Sequence, residues 1–279
     1  MKVQDIQLAP GPVLVFGGPY SNFAATQAMR LLAESKHIPP GNCICTGDTV
    51  AYCGRPMETV AMLRDWNIPV IMGNCEESLA QAAEDCGCGY EAGSMCSALS
   101  QQWYRFSSQN VDVDARDWMK QLPRAIEFQL NHHRVRVVHG SAHRINEFIF
   151  PSTSKAEKQA QFDGLDVNII IGGHSGLPFG ESLGKTWWLN SGAIGMPAND
   201  GTPDGWYLLL EPDADQLHAS WHRLHYDFLA EHQAMKNLGL NNGYADALLS
   251  GLWPSMDVLP QAERDLRGQL LEPQSLCID

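Results

Sequence analysis

Short apolar runs alternate with amphipathic stretches through the first half of the chain. Val13-Leu14-Val15-Phe16 reads as a buried strand, and Asn22 stands in the N-cap position of a helix whose apolar side is Ala25, Ala28, Met29 and Leu32. Cys43-Ile44-Cys45 predicts the next strand, Met57 to Trp66 a helix, and Pro69-Val70-Ile71-Met72 a third strand. Residues 74–122 read as mainly helical with glycine-rich interruptions. Strand and helix alternating in this way imply right-handed crossovers and a sheet covered on both faces.

The pattern changes in the second half. Ala125 to Leu130 and Arg134 to Val138 flank Asn131-His132-His133, which predicts a hairpin with His132 and His133 solvated in its turn. Further strands are expected over Val167 to Ile171, Thr186 to Leu189, Trp206 to Leu210 and Gln216 to Tyr226. In the last, Leu217, Ala219 and Trp221 alternate with His218, Ser220 and His222, the mark of a half-exposed strand. It suggests a second sheet packed on the first. Helices over Phe228 to Leu238 and Tyr244 to Leu252 follow, and residues 253–279, with Pro254, Pro260 and Pro273, predict a tail lying over the surface. With no internal repeat and no linker, residues 1–252 are expected to form one domain.

Composition narrows the partners. Hydrophobic residues make up 44% of the 279 and charged residues 18%, which suits a globular core. Thirty-two acidic against nineteen basic side chains give a net charge of -13, which speaks against nucleic acid and anionic membranes, both of which need clustered Lys and Arg. No apolar run is long enough to span a bilayer, and the start lacks a signal-peptide pattern, so a cytoplasmic protein is expected. In that compartment the eight cysteines favour reduced thiols or metal ligands over disulfides. Cys43, Cys45 and Cys53 read as core packing, and Cys277 lies in the tail. Cys75, Cys86, Cys88 and Cys96 form a denser group whose spacing matches no paired zinc pattern, although a separate metal site there stays open.

The chemistry is concentrated where strands end. Five apolar runs lead straight into glycine with a metal- or phosphate-competent residue beside it. These are Phe16-Gly17-Gly18-Pro19-Tyr20-Ser21-Asn22, Thr46-Gly47-Asp48, Met72-Gly73-Asn74-Cys75-Glu76, Val138-His139-Gly140-Ser141 and Ile171-Gly172-Gly173-His174-Ser175. Ligands of α/β sheets bind at the carboxyl ends of strands, so such corners converge. Singly, Asp48 and Asn74 read as turn residues and the histidines as satisfied hydrogen bonders. Together, Asp48, Asn74, His139 and His174 offer two oxygens and two imidazoles, a set suited to Mn, Fe or Zn.

These motifs resemble the calcineurin-like metallophosphoesterases, in particular the small bacterial branch with diadenosine-polyphosphate and phosphodiester hydrolases. The resemblance covers residues 12–212: Gly47-Asp48, Gly73-Asn74, His139-Gly140-Ser141, Gly173-His174 and Asn190-Ser191-Gly192-Ala193-Ile194-Gly195 follow the family's order. It implies an α/β (α+β) sandwich of two mixed β-sheets flanked by helices, and a divalent metal at Asp48, Asn74, His139 and His174. The departures are concentrated in the site. The family's opening Asp-x-His is matched by Gly18 and Tyr20, its final second histidine by Gly176, and the histidine after Gly-Asn by Cys75. The resemblance therefore implies one intact metal site, one ion per chain, and a dismantled second site.

Cys75 is read as a soft extra ligand, a metal-activated nucleophile, or filler in a dead site. Tyr20 is a candidate ligand or substrate contact, equally consistent with an exposed pocket tyrosine, and Asn22 beside it is a candidate substrate contact. His143, Glu147 and the pair Trp187-Trp188 could line the pocket mouth, while His218, His222 and His225 read as surface. The leading expectation is metal-dependent hydrolysis of a small phosphorylated metabolite. Its rivals are a non-catalytic metal- or ligand-binding descendant acting as sensor or partner protein, and an enzyme whose cysteines recruit a thiophilic metal for redox chemistry.

Overall fold

The computed structural model describes residues 2–88, 93–214 and 216–279; the part of the expected helical stretch at 89–92 lies outside the described residues. In chain order the elements are β1 (Val3–Asp5), β2 (Val13–Phe16), α1 (Phe23–Ser35), β3 (Cys43–Cys45), α2 (Pro56–Trp66), α3 (Asn74–Gln81), α4 (Met95–Asn110) and α5 (Val113–Gln121). Next come β4 (Ala125–Leu130), β5 (His133–Val138), α6 (Lys155–Ala160), β6 (Ile169–Gly172), β7 (Pro178–Ser182) and β8 (Trp187–Ser191). The chain continues with β9 (Gly205–Asp213), β10 (Gln216–Leu224), α7 (Phe228–Asn237), α8 (Gly243–Ser250), α9 (Gln261–Asp265) and β11 (Leu276–Ile278). Among the described residues, no helix is long and apolar enough to cross a membrane.

The strands form two mixed sheets, ordered β1-β4-β5-β6-β8-β7 and β11-β10-β9-β2-β3. Side-chain alternation along β2 explains how the layers stack. Val13 and Val15 point between the sheets, where they meet Ile126, Val135, Val137, Ile169, Ile171 and Leu189 from the other sheet. Leu14 and Phe16 point outward, onto Met29 of α1 and Leu63 and Trp66 of α2. The alternation read in β10 holds as well: Leu217, Ala219 and Trp221 are inner-face residues. β2 is parallel to β3 but antiparallel to β9, with Val13 opposite Leu210.

Four expectations change. Pro69 to Met72 does not form a strand, and only Val70 bridges to Cys45. Ile71 donates to the Cys45 carbonyl, but Met72 donates to Pro123, so the chain leaves β3 before a ladder forms. His133 is buried and begins β5, because the turn closes at Asn131 in the left-handed region (φ 52°). Its Nδ1 lies 2.8 Å from Asn168 Nδ2. The segment after residue 252 is more than a surface covering: β11 extends the second sheet beside β10, and Leu259 and Ile278 are buried. Cys86 and Cys88 are joined by a disulfide, against the expectation of reduced thiols.

Candidate metal centre

The corners after β2, β3, β5 and β6 and the start of α3 meet at one place, and Asp48, Asn74, His139 and His174 are all buried there. His139 Nε2 is the hub, 3.0 Å from Asn74 Oδ1, 3.0 Å from His174 Nδ1 and 3.3 Å from Asp48 Oδ2. One ligand atom from each of Asp48, His139 and His174 lies within 4.8 Å of the others.

Hydrogen bonding fixes which atoms face inward. The Thr46 carbonyl can only accept, so His139 Nδ1–H donates to it at 2.7 Å and neutral His139 presents a lone pair at Nε2. Asn74 Nδ2 donates to the Cys86 carbonyl at 2.9 Å, which turns Oδ1 toward His139. A lone pair, an amide oxygen and a carboxylate oxygen thus point at one another, an arrangement that needs a proton or a cation between them. Metal bonds of about 2.0–2.2 Å place neighbouring ligand atoms about 3 Å apart, so the separations fit a divalent ion. The donor set of nitrogens and oxygens suits a transition metal.

The electrostatics agree. Burial works against ionised Asp48, yet the two imidazoles outweigh it and hold its carboxyl below the ordinary value. Burial alone would lower His139, but the Asp48 carboxylate raises it instead. His174 is pushed down to about 3, first by burial and then by the neighbouring His139, which keeps it neutral and able to ligate. Its Nε2 is buried with no hydrogen-bond partner among the described residues.

Glu76 has a part that sequence reading missed. Its buried carboxylate accepts from the backbone N–H of Gly73 (2.9 Å), Asp48 (2.8 Å), Thr49 (2.7 Å) and Val50 (3.3 Å). It clamps the start of α3 to the loop carrying Asp48, a residue itself held in the left-handed region at φ 53°. Burial and the Asp48 charge push Glu76 up to about 7. The available signal was its place three residues after Gly73, where a capping box puts a carboxylate. Gly73 is required for closeness: a Cβ there would lie 2.2 Å from Asp48 Oδ1.

Beside this cluster the Tyr20 ring occupies the space in front of Gly18. Gly18 has φ 47°, and a Cβ built on it would meet Tyr20 Cζ at 2.3 Å and the Tyr20 hydroxyl at 2.8 Å. A Cβ on Gly176 would lie 3.8 Å from the same hydroxyl. The Tyr20 ring therefore lies close to both glycines at which the sequence departs from the family's motifs, and it lines a pocket that reaches His174. It is a buried pocket tyrosine, not an exposed one.

Other candidates are placed differently. Asn22 is spent on the fold: Oδ1 accepts from Ala25 N–H, and Nδ2 donates to the Gly195 carbonyl and to Tyr226. Cys75 is completely buried in an apolar cluster, and burial raises its thiol well above the ordinary value, which leaves the nucleophile reading without support. Its backbone N–H does serve the site, donating to Asp48 Oδ1 at 3.2 Å. Glu147 accepts from Ser141 and Arg144. Trp188 is core, and Trp187 packs on His133. His222 is half-buried against Tyr207, while His225 is exposed and pairs with Asp204. Among the described residues, the group of metal-competent side chains is the Asp48, His139 and His174 cluster, with no cysteine in it.

The comparisons agree with this architecture. No curated protein matches the sequence. The metallophosphoesterase from Sphaerobacter thermophilus superposes with a TM-score of 0.66 at 20% identity, over 86% of this chain and 99% of that one. A hypothetical protein from Pyrococcus horikoshii OT3 superposes with a TM-score of 0.71 at 17% identity, over 86% of this chain and 98% of that one. Both likenesses show the metallophosphoesterase fold. Residues 23–215 match the calcineurin-like phosphoesterase superfamily domain, and the chain belongs to that superfamily.

Proposed function

We propose that the protein hydrolyses phosphate esters of small metabolites at a single divalent transition-metal ion, Mn, Fe or Zn, held by Asp48, Asn74, His139 and His174. The observation that carries this reading is the convergence of those four ligand atoms next to a first site filled by Tyr20. When bound, such an ion supplies a Lewis acid for the phosphoryl oxygens and acidifies water. The chain contributes the rest. Thr46 holds His139 in the tautomer that ligates, and the Cys75 N–H orients Asp48. Glu76 fixes the loop between them. Tyr20 excludes a second ion and shapes the way in. The net charge of -13 favours a small substrate over nucleic acid or a membrane surface, and the cytoplasm is the proposed compartment.

The test measures metal per chain in protein purified without added metal, beside Asp48→Ala, together with a phosphoester screen. About one equivalent, lost in the variant, and turnover abolished by Asn74→Ala are the expected results. A second reading, a non-catalytic metal-binding descendant, is favoured by the loss of ligands at Gly18 and Gly176. Bound metal with no turnover of any ester would establish it, and turnover lost in Asn74→Ala would exclude it.

A further inference from the structure

The pocket that reaches His174 is built almost wholly from aromatic and apolar side chains. Phe148 stacks on the His174 ring at 4.0 Å and 27°, and on Phe150 at 5.5 Å. Tyr20 packs edge-on to Tyr52 at 4.7 Å, and Tyr52 stacks on Tyr244 at 4.4 Å. Trp253 turns its Nε1–H away, donating to the Pro197 carbonyl at 2.7 Å, and leaves its ring as pocket wall. These rings are already packed against one another, so a ligand pays little to order them. Aromatic faces and edges at these spacings are surfaces on which another flat ring gains offset-stacked or edge contacts.

Charge narrows the ligand further. Among the described residues that line the pocket, His174 is the one ionisable to a cation: there is no Lys and no Arg, and no Asp or Glu either. One divalent ion with Asp48, Asn74 and two neutral imidazoles carries a net charge of +1, and the Glu76 carboxylate beside Asp48 brings the site to neutrality. A phosphodiester, with one negative charge, adds the least uncompensated charge to it. The second charge of a phosphomonoester, and the further charges of a polyphosphate, would enter a buried site with nothing to offset them.

We infer that this pocket is the leaving-group subsite of an aromatic phosphodiester, with the phosphoryl group at the metal centre and a flat, uncharged ring among Phe148, Tyr20, Tyr52, Tyr244 and Trp253. The inference rests on the phosphoesterase reading for the position of the phosphoryl group. The ring is chosen over an alkyl chain because the walls present aromatic faces, which reward planarity.

The experiment measures binding by titration calorimetry on the manganese-loaded full chain, with three probes that do not turn over: diphenylphosphinate, dimethylphosphinate and phenylphosphonate. Diphenylphosphinate is expected to bind at least about 10-fold more tightly than the other two, from two or more ring contacts. Phe148→Leu and Tyr244→Leu keep apolar volume but remove an aromatic face, and each should cut the ratio of diphenyl to dimethyl affinity about 3- to 10-fold. Equal binding of the two phosphinates, preference for the phosphonate dianion, no binding of any probe, or an unchanged ratio in both variants would overturn the inference. Turnover of bis(4-nitrophenyl) phosphate separates the two ideas. An aromatic preference in binding without turnover of any ester supports the subsite and refutes the phosphoesterase. Turnover with no aromatic preference supports the phosphoesterase and refutes the subsite.

Discussion

Replacing Glu76 by Gln tests whether the clamp between α3 and the Asp48 loop holds the site together. The change is isosteric, but it swaps one acceptor oxygen for an amide donor. Oε1 serves the N–H groups of Thr49 and Val50, and Oε2 serves those of Gly73 and Asp48. Whichever oxygen is lost, two buried backbone donors are left facing another donor. An orphaned buried donor costs about 1–3 kcal/mol, so the loss is about 2–6 kcal/mol. Removing a negative charge beside Asp48 returns part of it, because burial and that charge already oppose ionised Glu76. The net expectation is a destabilisation of about 2–4 kcal/mol, or roughly 5–15 °C in Tm for a chain of this size. The assay is urea unfolding at pH 8 in excess chelator, which separates the clamp from metal binding. Metal affinity, measured separately, should fall about 10-fold or more, as it does when groups that orient ligands are changed. A variant within about 0.5 kcal/mol of the parent in chelator would refute the clamp, since that is the range of inert substitutions.

Gly18→Ala should cost about 2–4 kcal/mol in urea unfolding, from left-handed strain and the contact with the Tyr20 ring, and only about 1–2 kcal/mol in a Tyr20→Ala background. An additive double mutant would mean that the ring does not fill that space. Adding metal to stripped protein at 100 times its Kd should stabilise it by about 2.7 kcal/mol, seen as a rise in Tm that Asp48→Ala lacks. Glu127 accepts from Arg134 and Arg136. Burial opposes its ionisation, but the two guanidinium groups outweigh it and hold its carboxyl below the ordinary range. Its contribution is complete above the unfolded value of about 4.3 and is lost as pH falls through the lower folded value. Glu127→Gln should therefore cost about 1–3 kcal/mol above pH 5, and the gap to the parent should close toward pH 3 in denaturation curves.

The legible parts of this sequence were those that repeat a period or end a strand. Val13 to Phe16 and the alternation from Leu217 to Trp221 announced buried strands, and the glycine corners announced the donor set. What stayed hidden depends on distant contacts. β11 is only Leu276–Ile278 and exists because β10 offers an edge. His133 reads as a polar turn residue until Asn168, thirty-five positions later, satisfies it. Asn22 is a candidate substrate contact by neighbourhood alone, and its amide is claimed by Gly195 and Tyr226 from the far end of the chain. Tyr20 reads from the sequence as a candidate ligand or substrate contact. That it fills the space opposite Gly18 depends on the left-handed backbone at Tyr20 (φ 51°), which aims the ring and which no periodicity announces.

The pairing of β2 with β9, Val13 against Leu210, joins the beginning of the fold to a strand almost two hundred residues later. That pairing closes a very large loop, and its entropic cost precedes any reward, so the sheet is expected to assemble late and slowly. The corner carrying Asp48 hangs from the end of β3, beside β2 in the same sheet, and the hub at His139 belongs to the opposite sheet. A partly folded chain can hold either corner but not both in place. Capture of the proposed metal would then mark completion of the whole topology, and the ion would act as a latch on a finished fold and not as a seed for it.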